Sequence, residues 1–164
     1  MKNDAAFRPY YTHERYMSYA LKEAEKARKI GESPVGAIVV KDGVIIAGGH
    51  NERELKNDTT LHAEMTAIRK ACRKLGSWRL NGCDLYVTLE PCTMCAGAII
   101  QARIRNLFIG TSDLKAGAAG SVIDVFRVDA FNHHVDVSWG VLEEQCSGIL
   151  REFFQELREQ KAGK

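Results

Sequence analysis

Two short stretches of this 164-residue chain carry side chains that can do chemistry together: His62-Ala63-Glu64 and Pro91-Cys92-Thr93-Met94-Cys95. Cys92 and Cys95 stand three apart after an apolar run, with Pro91 close to the start of a helix. Residues at that spacing share a helix face, so both sulfurs reach one ion. The unpaired N–H groups and positive dipole of a helix start also favour thiolate over thiol. Zinc accepts a mixed sulfur and imidazole set; four protein ligands close a structural site, whereas three leave a position open to water. His62 opens another helix, and in a first turn both it and Glu64 can lean toward a group beyond the helix end. Two thiolates and a neutral imidazole leave zinc formally neutral, so its water is acidified less than beside three neutral ligands. A base is needed next to it, and Glu64, near the ion without binding it, has that chemistry.

Each piece also has a plainer reading. A C-x-x-C pair after a strand suits a four-ligand zinc knuckle or a thioredoxin-like redox pair. The other three cysteines, Cys72, Cys83 and Cys146, supply no second C-x-x-C and read as core or surface thiols. His62 alone is a cap, and Glu64 alone is a first-turn acid that complements the helix dipole.

The surrounding periodicities say what must hold these groups. Apolar residues at helical spacing predict a helix over 12–30, stopped by Gly31, and another over 62–75, stopped by Gly76. The runs VGAIVV (35–40) and VIIAG (44–48) flank Lys41-Asp42-Gly43, a strong antiparallel hairpin signal. Residues 49–60 read as a polar loop. A strand at 84–89, a buried helix at 91–103 and a strand at 106–110 make a parallel unit with a right-handed crossover. A Gly/Ala/Ser loop (115–121), a short apolar piece (122–128), a strand at 134–137 and a last helix from 142 to 161 complete the chain. This order predicts α/β architecture in three layers, α/β/α, around one mixed five-stranded sheet. Cys92 then falls at the carboxyl end of a strand, where open α/β sheets bind ligands.

Composition narrows the setting. The length suits a single domain, 1–164 with its core at about 12–160. With 45% hydrophobic and 27% charged residues, the chain has the balance of a soluble globular protein. No apolar run approaches the roughly 18 residues of a membrane helix. The N-terminus lacks the apolar stretch and cleavage site of a secretory signal, so the cytoplasm is the expected location. An odd cysteine count argues against a disulfide framework, and a net charge of +2 singles out no partner.

H-x-E followed by P-C-x-x-C is the signature of zinc-dependent nucleobase deaminases. Beyond it, SPVGAIVV, GGHNERE, LHAEM, LYVTLEPCTMCAGAI, DLKAGAAGSVIDV, FNHHV and FFQELR resemble the bacterial tRNA-specific adenosine deaminases, from about Tyr16 to Arg158. The resemblance implies a cytidine-deaminase-like fold and hydrolysis of the wobble adenosine of an arginine tRNA to inosine. It implies one Zn2+ per subunit on His62, Cys92 and Cys95, with Glu64 as proton shuttle. It further implies that Asn51 hydrogen-bonds the flipped nucleotide, that Pro34, Val35, Gly36 and Ala63 line the base pocket, and that Asp113 and Lys115 meet flanking nucleotides. Phe154 and Arg158 would touch RNA from the last helix, and the family's homodimers would shape the surface for an anticodon stem-loop. A free-base or nucleotide deaminase, acting on guanine or cytidine, shares the same zinc residues. The chain departs from the pattern at Thr59 and Leu61, where many relatives have proline and alanine, and at His134, often arginine. Leu61, beside His62, is the departure expected to alter pocket shape.

Overall fold

The computed structural model describes residues 12–164; the N-terminal stretch read for a secretory signal lies largely outside them. The elements run α1 (His13–Lys29), β1 (Gly36–Lys41), β2 (Val44–His50), α2 (Arg53–Lys56), α3 (Ala63–Leu75), β3 (Cys83–Leu89), α4 (Thr93–Gln101), β4 (Asn106–Thr111), a 3-10 turn (Val125–Arg127), β5 (Asp136–Trp139) and α5 (Glu143–Ala162). The sheet order is β2-β1-β3-β4-β5. β1 is antiparallel to both β2 and β3, while β3, β4 and β5 are mutually parallel neighbours. The expected mixed five-stranded sheet is therefore present.

Alternation along the strands creates the three layers. Ala37, Val39, Leu85, Val87, Leu107 and Ile109 point to one face, where they pack under α3 and α4 with Ala67, Ala71 and Ile99. The intervening Ile38, Val40, Tyr86 and Phe108 point to the other face and meet Tyr16, Met17 and Ala20 of α1 and Cys146 of α5. Period two along a strand buried on both sides requires both sets to be apolar, as they are here.

Local chemistry explains the element ends. Thr12 caps α1 by accepting a hydrogen bond from the Arg15 N–H at 3.2 Å. In the hairpin, Asp42 and Gly43 take φ of 49° and 75°, the paired left-handed conformation whose twist suits a two-residue connection. Gly49 matters for a different reason, because a Cβ there would strike the α3 backbone at Ala63 O and Ala67 N. Its missing side chain lets the N-terminal turn of α3 lie directly on β2.

The structure differs from the sequence expectations in three places. The 49–60 loop contains α2, a single turn closed by Asn57 at φ 49°. The last strand is 136–139, not 134–137, because β4 pairs Asn106 with Asp136, and Ile104 O accepts from His133 Nε2 just before it. α4 spans Thr93–Gln101 and excludes Pro91 and Cys92, the latter its N-cap in extended backbone. Among the described residues no helix is long and apolar enough to cross a membrane.

Candidate active site

The carboxyl ends of β2, β3 and β4, the entry to β1 and the first turns of α3 and α4 meet at one end of the sheet. His62 is the N-cap of α3, with extended backbone (φ −80°, ψ 156°), and Cys92 is the N-cap of α4 (φ −74°, ψ 176°). Neither side chain caps its own helix. Both face a shared point, joined by Cys95 from the first turn of α4. His62 Nδ1 lies 3.6 Å from the sulfur of Cys92 and 3.6 Å from that of Cys95, and all three donor atoms fall within 4.8 Å of one another.

That spacing tests the fit of a metal. Tetrahedral bonds of about 2.1 Å to nitrogen and about 2.3 Å to sulfur hold those atoms roughly 3.6 Å apart, the separation observed. The donor types suit zinc, and no fourth Cys, His or carboxylate joins the group among the described residues. Such a three-donor set leaves room for water, as the catalytic type does.

The protonation pattern follows from the same geometry. The Cys95 thiol, donating to Cys92, and the His62 ring together hold Cys92 down at about 3. Cys95 is pushed far up, first by that shared hydrogen bond and then by burial, while the Cys92 sulfur raises His62. Glu64, only 3% exposed, is pushed to about 7, chiefly by burial. A carboxyl poised near neutrality can both take and return a proton.

Above this group opens a cavity of about 490 Å3. His62, Ala63, Glu64 and Cys92 form its floor; Val35, Asn51, Asp113, Lys115 and Phe154 line its walls. The structure therefore brings together most of the residues singled out in the sequence. Cys95 sits beneath, fully buried. Three expected residues do not line the cavity: Pro34 is buried beside it, Gly36 turns its α-carbon toward Ala20 and Ala24 of α1, and Arg158 is exposed further along α5. Alternation explains Gly36, which must face opposite Val35. Leu61 also stays out of the cavity, held by backbone bonds to Asp58 and Glu52. His134 and Thr59 are exposed outside it.

Two buried carboxylates escaped the sequence reading. Glu32, 2% exposed, accepts from Asn51 Nδ2 at 3.2 Å and from Leu55 N at 2.6 Å. It fixes the Asn51 amide so that the carbonyl oxygen is left for the cavity. Glu90, also 2% exposed, accepts from the N–H groups of Asp113 (2.9 Å), Ala119 (2.9 Å) and Ser121 (3.1 Å), and from the Ser121 hydroxyl. One side chain thus ties both ends of the 113–121 loop, whose middle is held by Asp113 accepting from the N–H groups of Lys115, Ala116 and Gly117. The only signal for Glu90 was an acid between a largely apolar strand and a proline, and for Glu32 an acid just past a helix-ending glycine.

Comparison with known proteins agrees with this arrangement. The family of MafB19-like deaminases matches residues 11–158, and the chain belongs to that deaminase family. More particularly, it is 49% identical over 148 residues to the tRNA-specific adenosine deaminase of Bacillus subtilis, covering 90% of this chain and 92% of the relative. It is 51% identical over 144 residues to that of Agrobacterium fabrum, covering 87% and 94%. A solved structure from studies of A-to-I editing by tRNA:A34 deaminases superposes with a TM-score of 0.80 at 48% identity, over 83% of this chain and 99% of the other. A Bacillus subtilis guanine deaminase superposes with a TM-score of 0.62 at 38% identity, over 91% and 95%. The chain is an enzyme of the deaminase class.

Proposed function

We propose that the protein hydrolyses the exocyclic amino group of the wobble adenosine in the anticodon loop of an arginine tRNA, yielding inosine and ammonia in the cytoplasm. The observation that carries this is the buried Glu64 carboxyl beside a three-donor metal set, on the floor of a half-open cavity. Zinc, held by His62, Cys92 and Cys95, would supply the Lewis acidity that makes water nucleophilic near neutral pH. Glu64 takes one proton from the attacking water and delivers it to the ring nitrogen beside the amino-bearing carbon. The remaining hydroxyl proton passes by the same carboxylate to the amino group, the C–N bond breaks as the carbonyl forms, and ammonia leaves. The raised Glu64 favours both halves of this transfer.

Asn51 offers its carbonyl oxygen to a donor on the nucleotide, since its amide nitrogen is committed to Glu32. Val35 and Leu89 give the base apolar walls. The lining also includes Leu114 at 80% exposure and Phe154 at 43%, together with Arg53 and Lys115. Apolar faces with adjacent cations suit stacked, splayed-out nucleotides of an RNA loop better than a free base. An unpaired anticodon base also reaches such a floor without the cost of opening a duplex. The one three-donor group among the described residues supports one zinc per subunit, and the homodimer follows from the resemblance, with Val122 and Ile123 as exposed apolar side chains that a partner chain could cover.

The test is a time course of inosine formation on an arginine-tRNA anticodon stem-loop, comparing zinc-loaded wild type with Glu64→Ala. The expected result is conversion by wild type and a loss of at least about 100-fold in the variant. Ammonia release from guanine, with no inosine made from the stem-loop, would instead identify a free-base deaminase.

A further inference from the structure

We propose that the outer face of α3 and the turn after it form a docking surface for the phosphate backbone of the RNA, outside the cavity. This rests on the reading of the substrate as RNA. Arg69, Lys70, Arg73 and Lys74 are all exposed on the side of α3 away from its buried residues Ala67, Ile68 and Ala71. Trp78 and Arg79 follow, with the Arg79 guanidinium 4.2 Å from the centre of the Trp78 ring, itself 55% exposed.

Several cations elsewhere on the surface are matched by acids. Lys26 pairs with Glu23, Arg28 with Glu152 and Glu156, Lys56 with Glu52, and Arg105 with Asp84. The α3 cations and Arg79 make no ion pair among the described residues. The charge of Arg69 reaches Asp58, whose carboxylate is engaged by Thr60. On a chain whose net charge is only +2 this is a pronounced local excess. The helix dipole accounts for Arg73 and Lys74 in the last turn but not for Arg69, Lys70 or Arg79. Arg69 with Arg73, and Lys70 with Lys74, are like charges at i, i+4, a spacing that weakens a helix. A polyanion relieves that repulsion.

The position fits the same ligand. His62 caps α3, which rises about 1.5 Å per residue, so the row lies about 10 to 18 Å along the helix from that metal donor. A nucleotide in the cavity is joined to a chain of phosphates that extends well past that distance. Contacts to phosphate fix register without reading sequence, and the Arg79 and Arg103 guanidinium groups near the Trp78 ring add further positive charge beside them.

The experiment measures the Kd of full-length tRNA, and of a seven-nucleotide anticodon-loop oligomer, for wild type and R69Q/K70Q/R73Q/K74Q at several salt concentrations. Each lost phosphate contact lowers the slope of log K against log salt by about 0.7 to 0.9. The variant should bind tRNA about tenfold more weakly, with the slope reduced by about two. Its affinity for the oligomer should stay within about twofold of wild type. An unchanged slope and Kd for tRNA in a variant of unchanged Tm overturns the docking surface. If the fourfold variant melts early, R69Q/K70Q and R73Q/K74Q are measured separately, each expected to lower the slope by about one. Failure of wild type to form inosine from tRNA would strike the functional reading instead, and the two results are read independently.

Discussion

At the scale of single residues, the site depends on where protons and lone pairs are held. His62, Cys92 and Cys95 are spaced for one tetrahedral ion, so Cys92→Ser should lower zinc content well below one per chain, measured by elemental analysis. Chelation should abolish deamination in wild type, and added zinc should restore it. Asn51 holds its amide through Glu32; Asn51→Ala should raise KM for the stem-loop about tenfold, equivalent to about 1.4 kcal/mol. Its kcat should change less, because Glu64 and the donor set remain. An unchanged KM would remove Asn51 from substrate binding. The residue types at these positions could be read from the sequence because a donor set is defined by chemistry and short spacing. Glu32 and Glu90 could not, since a carboxylate looks the same in sequence whether it is solvated or buried among N–H groups.

At the scale of elements, the loop over 113–121 has little regular structure and is held instead by Glu90. Burial alone would raise the Glu90 pKa, but donors from Ser121, Asp113 and Ala119 outweigh it and the net shift is downward. A depressed folded-state pKa contributes stability above the ordinary carboxylate range and loses it as pH falls through the folded value. Loop amides should therefore lose hydrogen-exchange protection below about pH 4.5 before the sheet does. Glu90→Gln turns an amide NH2 toward backbone N–H groups and leaves at least one unpaired. We expect a loss of about 1 to 3 kcal/mol, read by denaturant unfolding, and a raised KM from displaced Asp113 and Lys115. Element boundaries show the same division between local and distant causes. The Asp42-Gly43 hairpin follows its turn chemistry, whereas the two-residue shift of β5 was set by pairing with β4, which no pattern within 134–139 encodes.

At the scale of the whole molecule, one sheet separates two apolar layers, and a substitution in it should be felt throughout. Leu85, fully buried under α3 and α4, should cost about 2 to 5 kcal/mol on truncation to alanine, visible as a lowered denaturant midpoint. Association is a property at this scale too: sedimentation should give the mass of two chains, not the 18.3 kDa of one. Residue order along the chain was enough to specify the donor set, the proton carrier, the α/β order and the faces of most elements. These rest on covalent spacing and on the local periods of helix and strand. Folding in three dimensions decided that β1 lies between β2 and β3, that Val35 faces the cavity while Gly36 faces α1, and that Leu61 stays out of it. It also left the α3 cations without an acid in pairing distance among the described residues. The reason is physical: these outcomes depend on which backbones approach each other across the fold, and packing between distant segments leaves no mark at any single position.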